Sequence, residues 1–260
     1  MSALLGVVRY EYRMAVRRWG MWVAFIVAAL FYIVPAVTGE LQEPTLSAWA
    51  FAGSLALNLN VLMPVIGGIT MADRLPRDSR LGVRELLAAT PLCRRTYVLG
   101  KYVGAVAAAV TPVLAVIALL AAIIAVRGLA AGIAPLELAG LAGSLLAAFL
   151  VINLPAYLFV GAFSLACPAV LPVRVYQVLY TGYWFWGNFT HPDFLPTLAG
   201  TPFEPSGRFV GSAFFQAGLT WAAPAHTAAE AVVNLLVLGA CAAAALVALE
   251  RYLAWQERRA

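Results

Sequence analysis

Charge is scarce in this chain. Only 11% of its 260 residues are Asp, Glu, Lys or Arg, against roughly 25% in a soluble domain. That scarcity excludes an ordinary solvated surface. Lysine occurs once, at position 101. The net charge of +5 does not point to nucleic acid, because the basic residues sit between apolar segments, where membrane topology accounts for them. The two histidines, His191 and His226, have no acidic or cysteine pair at ligand spacing, so no metal site is expected. Cys93, Cys167 and Cys241 form no C-x-x-C pair and read as packing or loop residues. Leu99-Gly100-Lys101 resembles part of a phosphate-binding loop, but Arg95 stands where its first glycine belongs and Tyr102 where Ser or Thr must follow. Paired catalytic groups are also missing from the apolar segments. The chain is therefore expected to be no enzyme, with no cofactor.

What the sequence has in quantity is hydrocarbon, at 63% of residues. Crossing a bilayer takes about 20 apolar residues at ~1.5 Å each. By that measure the chain reads as an all-α polytopic membrane protein, one domain over 1–260, with helices at 20–38, 48–72, 102–126, 136–165, 173–188 and 228–249. The fifth of these is short and crowded with aromatics. Residues 1–19 lack the long apolar core and cleavage site of a secretory signal. At helical spacing Leu5, Val8, Tyr12, Ala15 and Trp19 share one face while Arg9, Arg13 and Arg17 form a second row. An interfacial amphipathic helix is expected there.

Six crossings put both termini on one side. Fifteen of the seventeen basic residues then fall on that side, leaving Arg127 and Arg208 on the other. This is the asymmetry of the positive-inside rule, so both termini are expected in the cytoplasm. Cysteines introduced at Leu41 and Ser206 should then be reachable from outside, and one at Ser79 should not.

Seven basic residues crowd into Ala72–Lys101, between the second and third helices. Pro76 and the run Arg77-Asp78-Ser79-Arg80 are expected to break the helix leaving the membrane. Leu81–Ala89 then reads as a short helix ended by Thr90-Pro91, because the residue before proline disfavours the α region. Composition alone allows a loop that only fixes topology. The order of residues adds more: Asp73, Arg74, Arg80, Gly82, Glu85, Leu86, Leu87, Thr90, Pro91, Arg94, Arg95, Leu99, Gly100 and Lys101 follow a pattern that resembles the permeases of ABC-2-type exporters. The stretch Leu75–Ser79 makes the approach longer than the commonest form of that pattern. The resemblance implies a coupling helix within a cytoplasmic coupling loop at 73–101, with Asp73, Arg74, Arg80, Arg84, Glu85, Leu86, Leu87, Thr90 and Pro91 contacting an ATPase.

Inside the apolar segments, Asn58, Asn60, Asn153, Glu230 and Asn234 are candidates for a translocation path, while interhelical hydrogen bonding is the plainer role of membrane asparagines. Pro64, Gly67-Gly68 and Pro155 permit bends. Gly100, Gly104 and Ala108 form a small-residue row suited to close helix packing. The outer connection, 189–227, is rich in proline and aromatics, with Asp193, Glu204 and Arg208 as its only charges. Short apolar helices dipping into the outer leaflet account for it better than a solvated loop, and similar permeases carry a re-entrant pair of short helices there.

The expected function is the permease subunit of an ATP-driven exporter, paired with a second copy or a related permease, with two ATPase subunits and membrane lipid as partners. The arginine-for-lysine usage and abundant alanine fit a GC-rich bacterial genome, and the location expected is the bacterial cytoplasmic (inner) membrane. A stand-alone membrane scaffold or assembly factor is the other reading.

Overall fold

The computed structural model describes residues 3–38, 47–82, 92–190, 195–217 and 226–258. Among them the regular secondary structure is all helical, without strands. The helices are α1 (Ala3–Val16), α2 (Trp19–Thr38), α3 (Ala48–Met71), α4 (Arg74–Arg80) and α5 (Arg94–Ala130), followed by α6 (Pro135–Ala148), α7 (Leu154–Ala166), α8 (Val173–Phe189), α9 (Arg208–Phe215) and α10 (Ala228–Glu257).

Five helical stretches are long and apolar enough to cross a membrane: Trp19–Thr38, Ala48–Arg80, Arg94–Ala130, Pro135–Ala169 and Ala228–Glu257. This is a multi-pass membrane protein. The fifth expected span corresponds to α8, whose 17 residues make a rod of roughly 26 Å, a little short of the ~30 Å hydrocarbon core. It is not among the five.

Helix α3 forms the centre and packs on α2, α5, α6, α7, α8 and α9. Pro64 interrupts its ladder of hydrogen bonds, since proline has no N–H to give. Helix α8 supplies donors to this irregular stretch. Trp184 donates its indole N–H to Val61 O at 3.1 Å, and Tyr180 its hydroxyl to Pro64 O at 2.7 Å. The Gly67-Gly68 pair makes room for two rings: a Cβ at Gly67 would stand 2.7 Å from Tyr157 Cε1, and one at Gly68 2.4 Å from Tyr180 Cε1. These glycines serve close packing.

The fourth expected span, 136–165, is a compound helix. A π turn at Phe149–Asn153 separates α6 from α7, directly before Pro155. The wider turn takes up the change of register that the missing proline N–H imposes, and it turns Asn153 inward. At the other extreme, the apolar windows of Trp19–Thr38 and Ala228–Glu257 are only 22% buried, against 61% for Ala48–Arg80. Val23, Ile26, Val27 and Leu30 on α2, and Val232, Val233 and Leu236 on α10, are exposed. Apolar faces of this size need lipid or a partner chain.

Candidate functional site: the charged island and a polar cluster at the opposite end

The island opens differently from expectation. The chain turns at Ala72-Asp73, ahead of Pro76, and α4 runs through the proline and the polar run after it. Pro76 is the third residue of α4, in the first turn, where a backbone N–H has no intrahelical acceptor to lose. Gly82, at φ +67°, accepts the left-handed conformation that follows the helix. The first two residues of the helix expected at Leu81–Ala89 therefore lie in the turn after α4. The rest of that helix, with Arg84, Glu85, Leu86, Leu87, Thr90 and Pro91, lies outside the described residues.

Four charged side chains meet beneath α4. Lys101 Nζ lies 2.8 Å from Glu11 Oε2 and 2.7 Å from Asp78 Oδ2. Tyr97 donates its hydroxyl to Asp78 Oδ2 at 2.7 Å, and Arg74 Nη1 stands 3.5 Å from Glu11 Oε1. Glu11, Arg74 and Lys101 are 1–3% exposed, and Asp78 is also buried. Two carboxylates and two cations balance in charge, while Glu11 Oε1 and Arg74 Nε and Nη1 form no hydrogen bond among the described residues. The cluster ties α1, α4 and the start of α5 into one body. Arg74 therefore faces the protein's own interior. Asp73 sits at the rim, accepting a hydrogen bond from Arg80 at 2.9 Å and standing 3.8 Å from Arg18.

The small-residue row on α5 brings α1 close enough for this. A Cβ at Gly100 would meet Val7 Cγ1 at 2.7 Å, and one at Gly104 would meet Val8 O and Glu11 Cβ, each at 2.8 Å. Tyr12 and Thr111 share a hydrogen bond of 3.1 Å further along. Helix α1 thus turns Val8, Tyr12 and Ala15 towards the protein while Leu5, Arg9 and Arg13 stay exposed, as do Arg17 just after it and Trp19 at the start of α2. Glu11 was not among the candidate residues. Its signal in the sequence is a single acidic side chain among arginines, between Val8 and Ala15 on the apolar side of the helix.

A second polar cluster lies at the opposite end of the bundle. Glu204, 1% exposed, accepts hydrogen bonds from Arg208 Nε at 2.5 Å, from Gly200 N at 2.7 Å and from the Ser206 hydroxyl. Arg208 also donates to Asn188 O at 2.5 Å. Three of the expected path residues hold this segment down. Asn60 donates to Ser206 O at 3.0 Å and Ile152 O at 3.3 Å, Asn153 donates to Asn60 Oδ1 at 2.7 Å and Ala56 O at 2.9 Å, and Asn234 donates to Pro202 O and Glu204 O, both at 2.9 Å. All three are buried. Gly207, at φ +87°, lets the backbone lie against Ile152, where a Cβ would come within 2.6 Å of Cγ2.

The two remaining path candidates lie apart from this cluster. Asn58 is exposed and donates to Ser54 O at 2.8 Å, one turn back on its own helix. Glu230 is an exposed capping residue: Thr227 N donates to its Oε2 at 2.7 Å, and Glu230 N donates to Thr227 Oγ1 at 3.3 Å. Of the connection at 189–227, α9 is a short helix packed on α3 and α10. Ser206, just ahead of α9, is 1% exposed, so a cysteine there would be shielded from a thiol reagent. No family model matches the chain, and no curated protein matches it.

Proposed function

We propose that this chain is the permease subunit of an ATP-driven exporter of the ABC-2 type, working as a dimer with two ATPase subunits in a bacterial cytoplasmic membrane. In this reading α8 is a sixth crossing, both termini are cytoplasmic, and residues 83–91 carry the contact with the ATPase. The observation that carries the proposal is the buried ion cluster of Glu11, Arg74, Asp78 and Lys101. A loop that only set topology would gain nothing from four buried charges. A loop that transmits force needs a stiff root, and this cluster joins α4 to α1 and α5. Asp73 and Arg80, paired with each other at the rim, would present their charges to a partner. Arg74 acts from inside by holding α4.

The outer cluster fits the same account as a closed exit. Asn60, Asn153 and Asn234 latch the segment around Glu204 and Arg208, and opening would exchange those hydrogen bonds for others. ATP binding would draw the coupling elements together and release this seal. Affinity purification of the full chain from mild detergent tests the proposal. It predicts co-purification of a subunit with a phosphate-binding loop, and two permease chains per complex by mass. A single chain without an ATPase favours a scaffold instead.

A further inference from the structure

A cavity of about 790 Å³ opens at the basic end, between the start of α2, the end of α3, α4 and the start of α8. Four arginines line it, Arg18, Arg77, Arg80 and Arg174, against one carboxylate, Asp73. That carboxylate is engaged by Arg80 at 2.9 Å and Arg18 at 3.8 Å. Among the described residues Arg77 and Arg174 form no ion pair. The cations crowd one another: burial first, and repulsion from Arg77 second, hold the Arg18 guanidinium below its ordinary range. An anion entering the cavity would relieve that repulsion.

Beside Thr70 and Gln177, the apolar residues Met21, Ile69 and Val173 also line the cavity. Two of these belong to the first turns of α2 and α8, so the cavity lies where those helices begin. On α2 it is the exposed, cavity-lining Gly20, rather than the buried Met21, that leads onto the outward face of Val23, Ile26, Val27 and Leu30. A ligand with an anionic head and an apolar tail matches both halves. Guanidinium groups bind phosphate oxygens in pairs, with geometry that a diffuse charge does not need. Basic pockets between helices on the cytoplasmic side suit phospholipid headgroups.

We propose that this pocket binds the phosphate headgroup of an anionic membrane lipid, with its acyl chains running along the exposed face of α2. The inference rests on the membrane character of the chain and is independent of transport. Free phosphate offers the same oxygen atoms without the chains, so the two sources must be separated.

The test is a lipid titration of the purified full chain in neutral detergent, read by native mass spectrometry. Phosphatidylglycerol and phosphatidylcholine of equal chain length are compared. The wild-type chain should favour phosphatidylglycerol by about tenfold or more, and Arg77→Ala with Arg174→Ala should remove most of that preference. Arg77→Lys with Arg174→Lys should retain part of it. Arg251→Ala with Arg258→Ala, exposed at the end of α10 and outside the pocket, should leave it intact. Equal affinity of the wild type for the two lipids overturns the proposal, and this comparison decides even if the double variant is unstable. Equal loss in the Arg251 and Arg258 variant, or displacement of phosphatidylglycerol by millimolar inorganic phosphate, overturns it too.

Discussion

Lys101 is the chain's one lysine, and it is among the most deeply buried of its charges. It sits between Glu11, which Arg74 also approaches at 3.5 Å, and Asp78, whose cation among the described residues is Lys101. Lys101→Met should therefore destabilise the protein by about 3–5 kcal/mol, the cost of leaving buried charge unpaired. Thermal unfolding in detergent checks this, and Glu11→Gln combined with Lys101→Met should cost less than the sum of the two. The sequence pattern marks Lys101 as part of the island but not as its keystone, because Glu11 lies 90 positions away. A contact of that separation leaves no local trace. The thiol of Cys93 is a different case. It is exposed, 2.9 Å from Thr96 Oγ1, and hydrogen bonding from Thr96 holds it below the ordinary thiol range. The thiolate is thus populated at lower pH than in a free cysteine. Alkylation by iodoacetamide, followed against pH, should rise early for Cys93, and Thr96→Val should move the midpoint upward.

At the scale of elements, close approach of α1 to α5 is the step on which the ion cluster depends. Gly104→Ala places a methyl 2.8 Å from the backbone oxygen of Val8, which cannot swing aside as a side-chain end could. The expected loss is about 1–3 kcal/mol, read as earlier thermal unfolding and easier proteolysis between α1 and α2. Gly143→Ala, with nothing within 4 Å, should be neutral or slightly stabilising. The row Gly100, Gly104 and Ala108 was legible as a packing surface because its spacing is local. Its partner α1 was not, since basic and apolar rows at helical spacing also suit a helix lying on lipid. The break within 136–165 was likewise hidden. Hydropathy averages over a π turn, and only Pro155 hints at it. Pro76 misled in the opposite sense, because proline is a breaker inside a helix but harmless in its first turn. The asparagines read as path or packing alike until geometry paired Asn60 with Asn153 and Asn234 with the outer segment.

Across the whole molecule, one end gathers Arg18, α4, Cys93 and the Arg94–Glu257 ion pair, and the other gathers the Glu204–Arg208 cluster. Charge asymmetry along the sequence made this polarity readable, because every crossing reverses the side on which a loop falls. The segment around Glu204 and Arg208 was readable only as apolar and proline-rich, and its hydrogen bonds to Asn60 and Asn234 depend on pairings between distant parts of the chain. Impermeant thiol reagents applied to intact cells should label Leu195→Cys, which is exposed, and should spare native Cys93 at the opposite end. Labelling of Cys93 from outside would invert the orientation.

The central claim is that the segment rooted on α4 couples this chain to an ATPase. Leu86→Asp tests it most directly, because a carboxylate cannot be buried in an apolar groove without a large cost. The measurement is the amount of ATPase retained by the full chain when wild type and Leu86→Asp are purified at equal membrane abundance. The account predicts that the wild type retains the ATPase and that Leu86→Asp loses it while still inserting normally. Equal retention of a bound, transport-competent ATPase by Leu86→Asp would contradict it.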